Sequence, residues 1–366
     1  MAFVPVLASL PLSACAATPA RGWPEWRALV ETSLSGDGRM IDRSQADQRT
    51  TSEGQSYALF FALVDGDRGL FERILAWTRD NLCAGDMSKR LPAWLWGQDV
   101  ESGEWRVLDE NPASDSDLWI AYCLIEAARR WSVPAHAQTA RAMLLQIQSR
   151  EVGRLPGLGA MLLPGPAGFT REDLWRLNPS YLPIPVLRRL QAFDPGGPWG
   201  EIAANTVRLV RESSPNGWVP DWLGWREGRV VADPVRGNVG SYDAIRTYLW
   251  AGMTHRSDPA FRPMLDALHG PRHALGRGQP LPEKVDVASG EGEGIAPFGF
   301  RAALLPDLQI TGAVRLARSM REALPDAEAL RAGEPSYYSH VLKLFGAGWY
   351  DRRFRFGRDG ALQPGR

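Results

Sequence analysis

The chain has 366 residues and balances 42 basic against 42 acidic side chains, with three cysteines and five histidines. Zero formal charge supplies no global field for nucleic acid or an anionic membrane, so the expected ligand is neutral and no nucleic-acid partner is expected. Cys15, Cys83 and Cys123 cannot build a disulfide framework or a paired CxxC zinc site, and His136, His255, His269, His273 and His340 lack HExxH spacing, so no metal or cofactor is expected.

Residues 1–20 are an apolar stretch ending in Leu-Ser-Ala-Cys-Ala-Ala and read as an export signal. The stretch is too short for a membrane span. Ala14 and Ala16 fit an A-x-A cleavage site, while the same residues fit a bacterial lipobox with Cys15 as the lipidated position. A periplasmic or secreted location is expected either way, lipid-anchored in the second case. No Lys or Arg precedes Arg21, which points to a start further upstream. Residues 21–366 are expected to form a single catalytic domain.

Past the signal, segments that are apolar on every face alternate with amphipathic ones. Tyr57–Val64 is apolar all round, and Leu70, Phe71, Ile74, Leu75 and Trp77 form a stripe among charges. The contrast returns between Leu118–Trp131 and Ala135–Gln148, Tyr181–Leu190 and Glu201–Arg211, and Tyr242–Met253 and Pro259–Leu268. Segments near Ile295–Leu305, Ile310–Leu324 and Tyr337–Phe345 continue it. No sustained period-two series appears, and Leu155–Gly168 and Pro215–Pro234 read as loops or small hairpins. About six helical pairs would use the length, so the predicted fold is all-α: a closed α/α toroid with an inner apolar ring and an outer amphipathic one. An open helical solenoid is the competing arrangement.

Three acidic sites fall at the starts of predicted inner helices: Glu53 in TSEGQSY, Asp115 with Asp117 in ASDSDLW, and Asp243 in GSYDAIR. Parallel inner helices would bring these ends to one mouth. Capping and the helix dipole also favour acids there, and Asp117 is assigned to that role. Glycoside hydrolysis needs one protonated carboxyl and one ionised one. Helix amino ends favour the ionised form, which suits Asp243 as base. Glu53 as acid then needs burial or a second carboxylate, with Asp115 the candidate. Arg246, one turn beyond Asp243, is placed to pair with it. Trp94, Trp96, Tyr181 and Tyr242 accompany these motifs and are candidates to line sugar subsites, although core packing explains each about as well.

At these residues the chain resembles glycoside hydrolase family 8, and within it the branch of periplasmic endoglucanases that accompany bacterial cellulose synthase. The run from Ala113 to Trp131, ASDSDLWIAYCLIEAARRW, is similar to the family's signature, with Ser116 and Cys123 departing from the small residues usual there. The likeness extends from Arg43–Tyr57 to Tyr337–Gly346. It implies an (α/α)6 toroid, inversion of anomeric configuration, Glu53 as general acid and Asp243 as general base. It further implies that Asp115 binds and distorts the sugar beside the scissile bond, with Tyr181, Tyr242 and Arg246 near it and Trp94 or Trp96 stacking a glucose. The implied function is an endo-β-1,4-glucanase acting on a β-1,4-glucan beside a cellulose synthase complex; a monomer is expected. Two alternatives remain on fold grounds: a non-catalytic glucan-binding export protein, and a same-fold hydrolase of xylan, mixed-linkage glucan or chitosan.

Overall fold

A computed structural model describes residues 22–333 and 337–365, so the predicted export signal and Cys15 lie outside the described residues. The helices are α1 (Pro24–Ser33), α2 (Ser52–Asp65), α3 (Arg68–Leu82), α4 (Ser114–Trp131), α5 (Pro134–Arg150), α6 (Ile184–Phe193), α7 (Trp199–Ser213), α8 (Ala244–Met253), α9 (Phe261–Ala267) and α10 (Gly270–Gly276). They continue as α11 (Phe298–Ala303), α12 (Leu305–Ile310), α13 (Val314–Glu322), α14 (Ala327–Ala332) and α15 (Tyr337–Tyr350). The inner ring is α2, α4, α6, α8, the α11–α12 pair and α15. Around it stand α3, α5, α7, α9, α13 and, returning from the start of the chain, α1. This is the closed toroid expected from the alternation of all-round apolar and one-faced helices, with the (α/α)6 arrangement that the family resemblance implies.

The inner helices are buried because their sequences leave no polar face. Every residue of α8 is buried, and α2 is buried from Gly54 to Val64. Their aromatic rings meet on the barrel axis: Phe345 of α15 lies 5.0 Å from Tyr57 and 5.2 Å from Phe60 of α2, 5.4 Å from Trp119 of α4 and 5.2 Å from Trp250 of α8. Edge-on, tilted and stacked contacts of this kind add to the area that such rings remove from water. The barrel is therefore filled, like a core, and the ring closes through α2 and α15. Glycine sets the spacing where α15 meets α11, since a Cβ on Gly346 would run into the Ala302 carbonyl.

Closure is completed at the outer layer by α1. Its Glu25 receives Lys343 Nζ of α15 and Arg321 Nη2 of α13, both at 3.4 Å. A second tie binds the ring from below. Glu126 of α4, fully buried, accepts from Arg129, from Arg189 of α6 and from the Leu362 amide of the C-terminal strand.

Short antiparallel sheets crown one end of the barrel. Thr50–Thr51, Leu95–Gln98 and Trp105–Asp109 form one, leading straight into α2. Thr170–Arg171, Leu174–Leu177, Leu223–Arg226 and Arg229–Ala232 form a second. Val239–Gly240 pairs with Lys284–Asp286 just before α8. Leu155–Gly168 and Pro215–Pro234 do contain hairpins, as their turn residues indicate. The joining of the second hairpin to Leu174–Leu177 is long-range pairing that periodicity does not reveal. The segment Tyr181–Leu190 is also not one helix: Tyr181 closes a 3-10 turn, and Pro183 and Pro185 delay α6 to Ile184.

Glu126→Ala would take their shared acceptor from the Arg189 guanidinium and the buried Leu362 amide, while half-exposed Arg129 keeps the Leu362 carbonyl. The expected loss is about 3–5 kcal/mol of unfolding free energy, read as a lower urea midpoint with an unchanged slope.

Candidate active site

The amino ends of α2, α4, α8 and α15 converge at the sheet-crowned end. Ser52 Oγ of α2 lies 2.6 Å from Ser116 Oγ of α4, and Tyr338 Oη of α15 donates to the Tyr242 carbonyl just before α8. Thr51 caps α2 by accepting from the Gly54 amide at 3.0 Å, which directs Glu53 in the first turn toward the mouth. Gly54 has no room for a side chain, since a Cβ would stand 2.9 Å from Tyr337 Oη.

Arg246 joins the acidic groups. It is 3% exposed and lies under the mouth, where Nη1 contacts Glu53 Oε2 and stands 3.6 Å from Asp115 Oδ2. Nη2 donates to Asp243 Oδ1 at 2.7 Å and to Ser180 Oγ at 3.0 Å, and Tyr57 Oη lies 3.3 Å from Nη1. Glu53 and Asp243 thus face each other across one guanidinium fork, with side chains 23% and 30% exposed. Both are reachable from the cleft. Asp115, 3% exposed at its side chain, is not open in the same way.

Burial raises the Asp243 carboxyl to about 7, with Asp221 and Asp115 adding like charge, while the Trp222 indole hydrogen bond opposes the rise. Asp115 is likewise pushed up to about 7 by burial, against the Ser116 amide that donates to it. The second carboxylate sought near Glu53 is present, but it reaches Glu53 across Arg246. Among the described residues no group of three or more His, Cys, Asp and Glu side chains is arranged to hold a metal ion.

The other predicted site residues divide. Tyr181 belongs with the carboxylates, its ring centroid 5.8 Å from the Arg246 guanidinium. Tyr242 stands beside Asp243 and is 43% exposed, its hydroxyl donating to Glu283 at 2.8 Å and its ring edge-on to Phe300. Trp94 is half-buried and adjoins α2 directly, its carbonyl accepting from the Ser52 amide at 3.0 Å. Trp96 is taken up elsewhere: its ring stacks on Trp105 at 5.2 Å, meets Trp77 edge-on and lies 4.2 Å from the Arg39 guanidinium. Arg246 lies beneath the carboxylates instead of lining the cleft surface.

Trp222, Asp221, Ser180 and Tyr57 also belong to the site, and no sequence motif marks them as functional. Trp222 Nε1 donates to Asp243 Oδ2 at 3.0 Å, and its ring stacks on Phe169 at 5.8 Å with planes 4° apart. It lies in the Gly/Pro-rich Pro215–Pro234 segment, where its neighbourhood to Asp221 is the only local signal. Asp117 departs from its predicted capping role. Both its oxygens are buried, and it faces the Glu151 carboxyl at the end of α5.

The model of the family described as glycosyl hydrolases family 8 matches residues 2–352. An endoglucanase of Xanthomonas axonopodis pv. citri (strain 306) is 52% identical over 360 residues, spanning 98% of this chain and 94% of that protein. An endoglucanase of Escherichia coli (strain K12) is 41% identical over 363 residues, 98% of this chain and 95% of that one. Among solved structures, the endo-1,4-D-glucanase from Vibrio fischeri ES114 superposes with a TM-score of 0.87 at 38% identity, covering 93% of this chain and 99% of that chain.

The Asp117–Glu151 contact carries a prediction of its own. Burial drives both carboxyls upward, Glu151 to about 8, and none of their four buried oxygens has a hydrogen-bond donor from the rest of the protein, so the facing pair holds protons well above the usual carboxylate range. Because the folded state holds protons that the unfolded chain releases near pH ~4, this contribution is complete below that point. It is lost as pH rises through about 8. Glu151→Gln keeps a donor to Asp117 and removes one titration. Urea unfolding at about pH 5 and about pH 9 is expected to show the wild type losing roughly 2–4 kcal/mol more than this variant.

Proposed function

The chain belongs to glycosyl hydrolase family 8, and from that premise we propose that it is an endo-β-1,4-glucanase that cleaves its polymer with inversion, Glu53 acting as acid and Asp243 as base. The observation that carries this reading is the pair of solvent-reachable carboxylates on α2 and α8, set on opposite arms of Arg246 at the barrel mouth. They do not touch each other. A guanidinium stands between them, and a separated pair is what an inverting site needs, since a water must fit between base and sugar.

A glucan lying across the mouth would meet the half-exposed ring of Tyr242, with Trp94 toward one side and Tyr181 below. Glu53 would protonate the glycosidic oxygen while Asp243 takes a proton from water attacking the opposite face of the ring. An Asp243 raised to about 7 is a competent acceptor near neutral pH. Trp222 and Arg246 each bond one of its oxygens, which fixes the carboxylate plane. Asp115, next to Arg246, would bind the sugar adjoining the scissile bond and help to distort it.

We place the enzyme, as a monomeric catalytic domain over residues 21–366, in the periplasm or outside the cell, acting on strands made by a cellulose synthase. The reading is supported by the endoglucanase names of relatives that share nearly the full chain and by the export-like residues 1–20.

Glu53→Gln and Asp243→Asn are each expected to lower turnover on carboxymethylcellulose at least about a thousandfold while leaving binding of cello-oligosaccharides intact. Proton NMR of fresh wild-type products should show the α-anomer first. Undiminished turnover in Glu53→Gln removes Glu53 as the acid, and β-anomer product removes inversion. A wild type inactive on cellulose derivatives redirects the search to xylan, mixed-linkage glucan and chitosan.

A further inference from the structure

Asp221 belongs to none of the acidic motifs, yet it occupies the start of α8. Its side chain comes from the loop carrying Trp222, 20 residues upstream of Ser241, and it is buried. The same oxygen, Oδ1, accepts from the Ser241 amide at 2.7 Å and from the Ala244 amide at 2.8 Å. The Asp221 amide in turn donates to the Val239 carbonyl at 2.8 Å, so the loop and the lead-in to α8 are joined in both directions. Gly240 permits this approach, since a Cβ there would collide with the Val219 carbonyl.

The residue that would ordinarily cap α8 is Asp243, which holds the N-cap position and makes no side-chain capping bond. Its carboxyl turns to Arg246 and Trp222 instead. One carboxylate therefore satisfies the helix end and the other is released to the cleft. We infer that Asp221 is a positioning residue of the hydrolytic site: it caps α8 in place of Asp243 and supplies the neighbouring negative charge against which Asp243 ionises.

The groups that face Asp243 have opposed effects. Arg246 on its own helix, the Trp222 indole and Arg236 favour its anion, while burial, Asp221 and Asp115 of α4 disfavour it. Tyr181 and Tyr338 also lie within its field, and Glu53 reaches it through Arg246. After burial, the charge of Asp221 raises the Asp243 carboxyl most, ahead of that of Asp115; burial pushes the Asp221 carboxyl up as well, and the amides it caps hold it down. Removing that charge lowers the pH at which Asp243 releases its proton.

This inference rests on Asp243 being the base, and its test separates the two. Asp221→Asn keeps Oδ1, the acceptor of the Ser241 and Ala244 amides, and removes the charge. The acid limb of kcat/KM on a soluble cello-oligosaccharide is expected to move about one pH unit toward acid in this variant. Asp221→Glu, which keeps the charge on a longer arm, is expected to lower kcat and leave the limb within about 0.3 units of wild type. A purely structural cap would lower kcat in both variants without moving the limb, and an unmoved or upward-moving limb in Asp221→Asn overturns the proposal. Carbon-13 NMR of the Asp243 carboxyl, assigned by its disappearance in Asp243→Asn, reads the same titration without turnover. If the wild type hydrolyses no glucan, the functional reading fails while the NMR shift still decides the role of Asp221. If Asp221→Asn does not fold, an Asp243 that titrates in the wild type at the ordinary carboxyl value near ~4 overturns the proposal by itself.

Discussion

Everything at the mouth depends on one buried cation. Three carboxylates on the amino ends of α2, α4 and α8 would repel one another, and each is partly withdrawn from water. Arg246 contacts Glu53 and Asp243 and stands 3.6 Å from Asp115, so its two Nη groups tie all three helices. Desolvating a guanidinium is costly, and burial does push the Arg246 pKa down. Its planar fork nevertheless stays charged and reaches several acceptors at once, which an ammonium on a flexible stem would do less well. The geometry of the proposed acid and base is thus set by a residue that itself hardly meets the solvent.

Below that cation the barrel axis is solid with aromatic rings. Tyr57 packs edge-on against Trp119 at 6.0 Å and against Phe345 at 5.0 Å, and its hydroxyl points to Arg246. Trp250 touches the same cluster and donates from Nε1 to the Ser180 carbonyl at 2.8 Å. The rings thus have two effects. They supply the apolar area that closes the toroid, and they form the low-dielectric floor that raises Asp115 and Asp243 toward neutral pH.

How far the sequence discloses this depends on the range of each interaction. All-round apolar runs such as Tyr57–Val64 announce buried helices, because the pattern is local and periodic. The placement of acids at helix starts is local too, and Glu53, Asp115 and Asp243 are legible together once the inner helices are taken as parallel. Pairing of Arg246 with Asp243 follows from their spacing, but its contact with Glu53 spans 193 residues and leaves no trace in spacing. Asp221 and Trp222 sit in a Gly/Pro-rich stretch where composition says only loop. Asp117 looks like a helix-start acid in one dimension. Only the arrival of Glu151 from the far end of α5 turns it into half of a buried acid pair. Trp94 and Trp96, two residues apart, look equivalent in sequence. Packing separates them by stacking Trp96 on Trp105, with the Arg39 guanidinium against both rings.

Several unsatisfied polar groups gather at the mouth, although others, such as Trp26 Nε1 and Trp349 Nε1, lie elsewhere in the barrel. Among the described residues, Ser114 Oγ, Asn178 Nδ2, Arg246 Nε, Thr247 Oγ1 and Tyr337 Oη are buried without a protein hydrogen-bond partner. All belong to the first turns of inner helices or to the lead-in to α6. Buried polar atoms ordinarily find partners, and leaving one unpaired costs about 1–3 kcal/mol. At the opposite end, Glu126 is satisfied by two guanidinium groups and an amide. The mouth therefore retains hydrogen-bonding capacity around the carboxylates. A polyhydroxylated ligand is suited to such an end, because its hydroxyls both donate and accept.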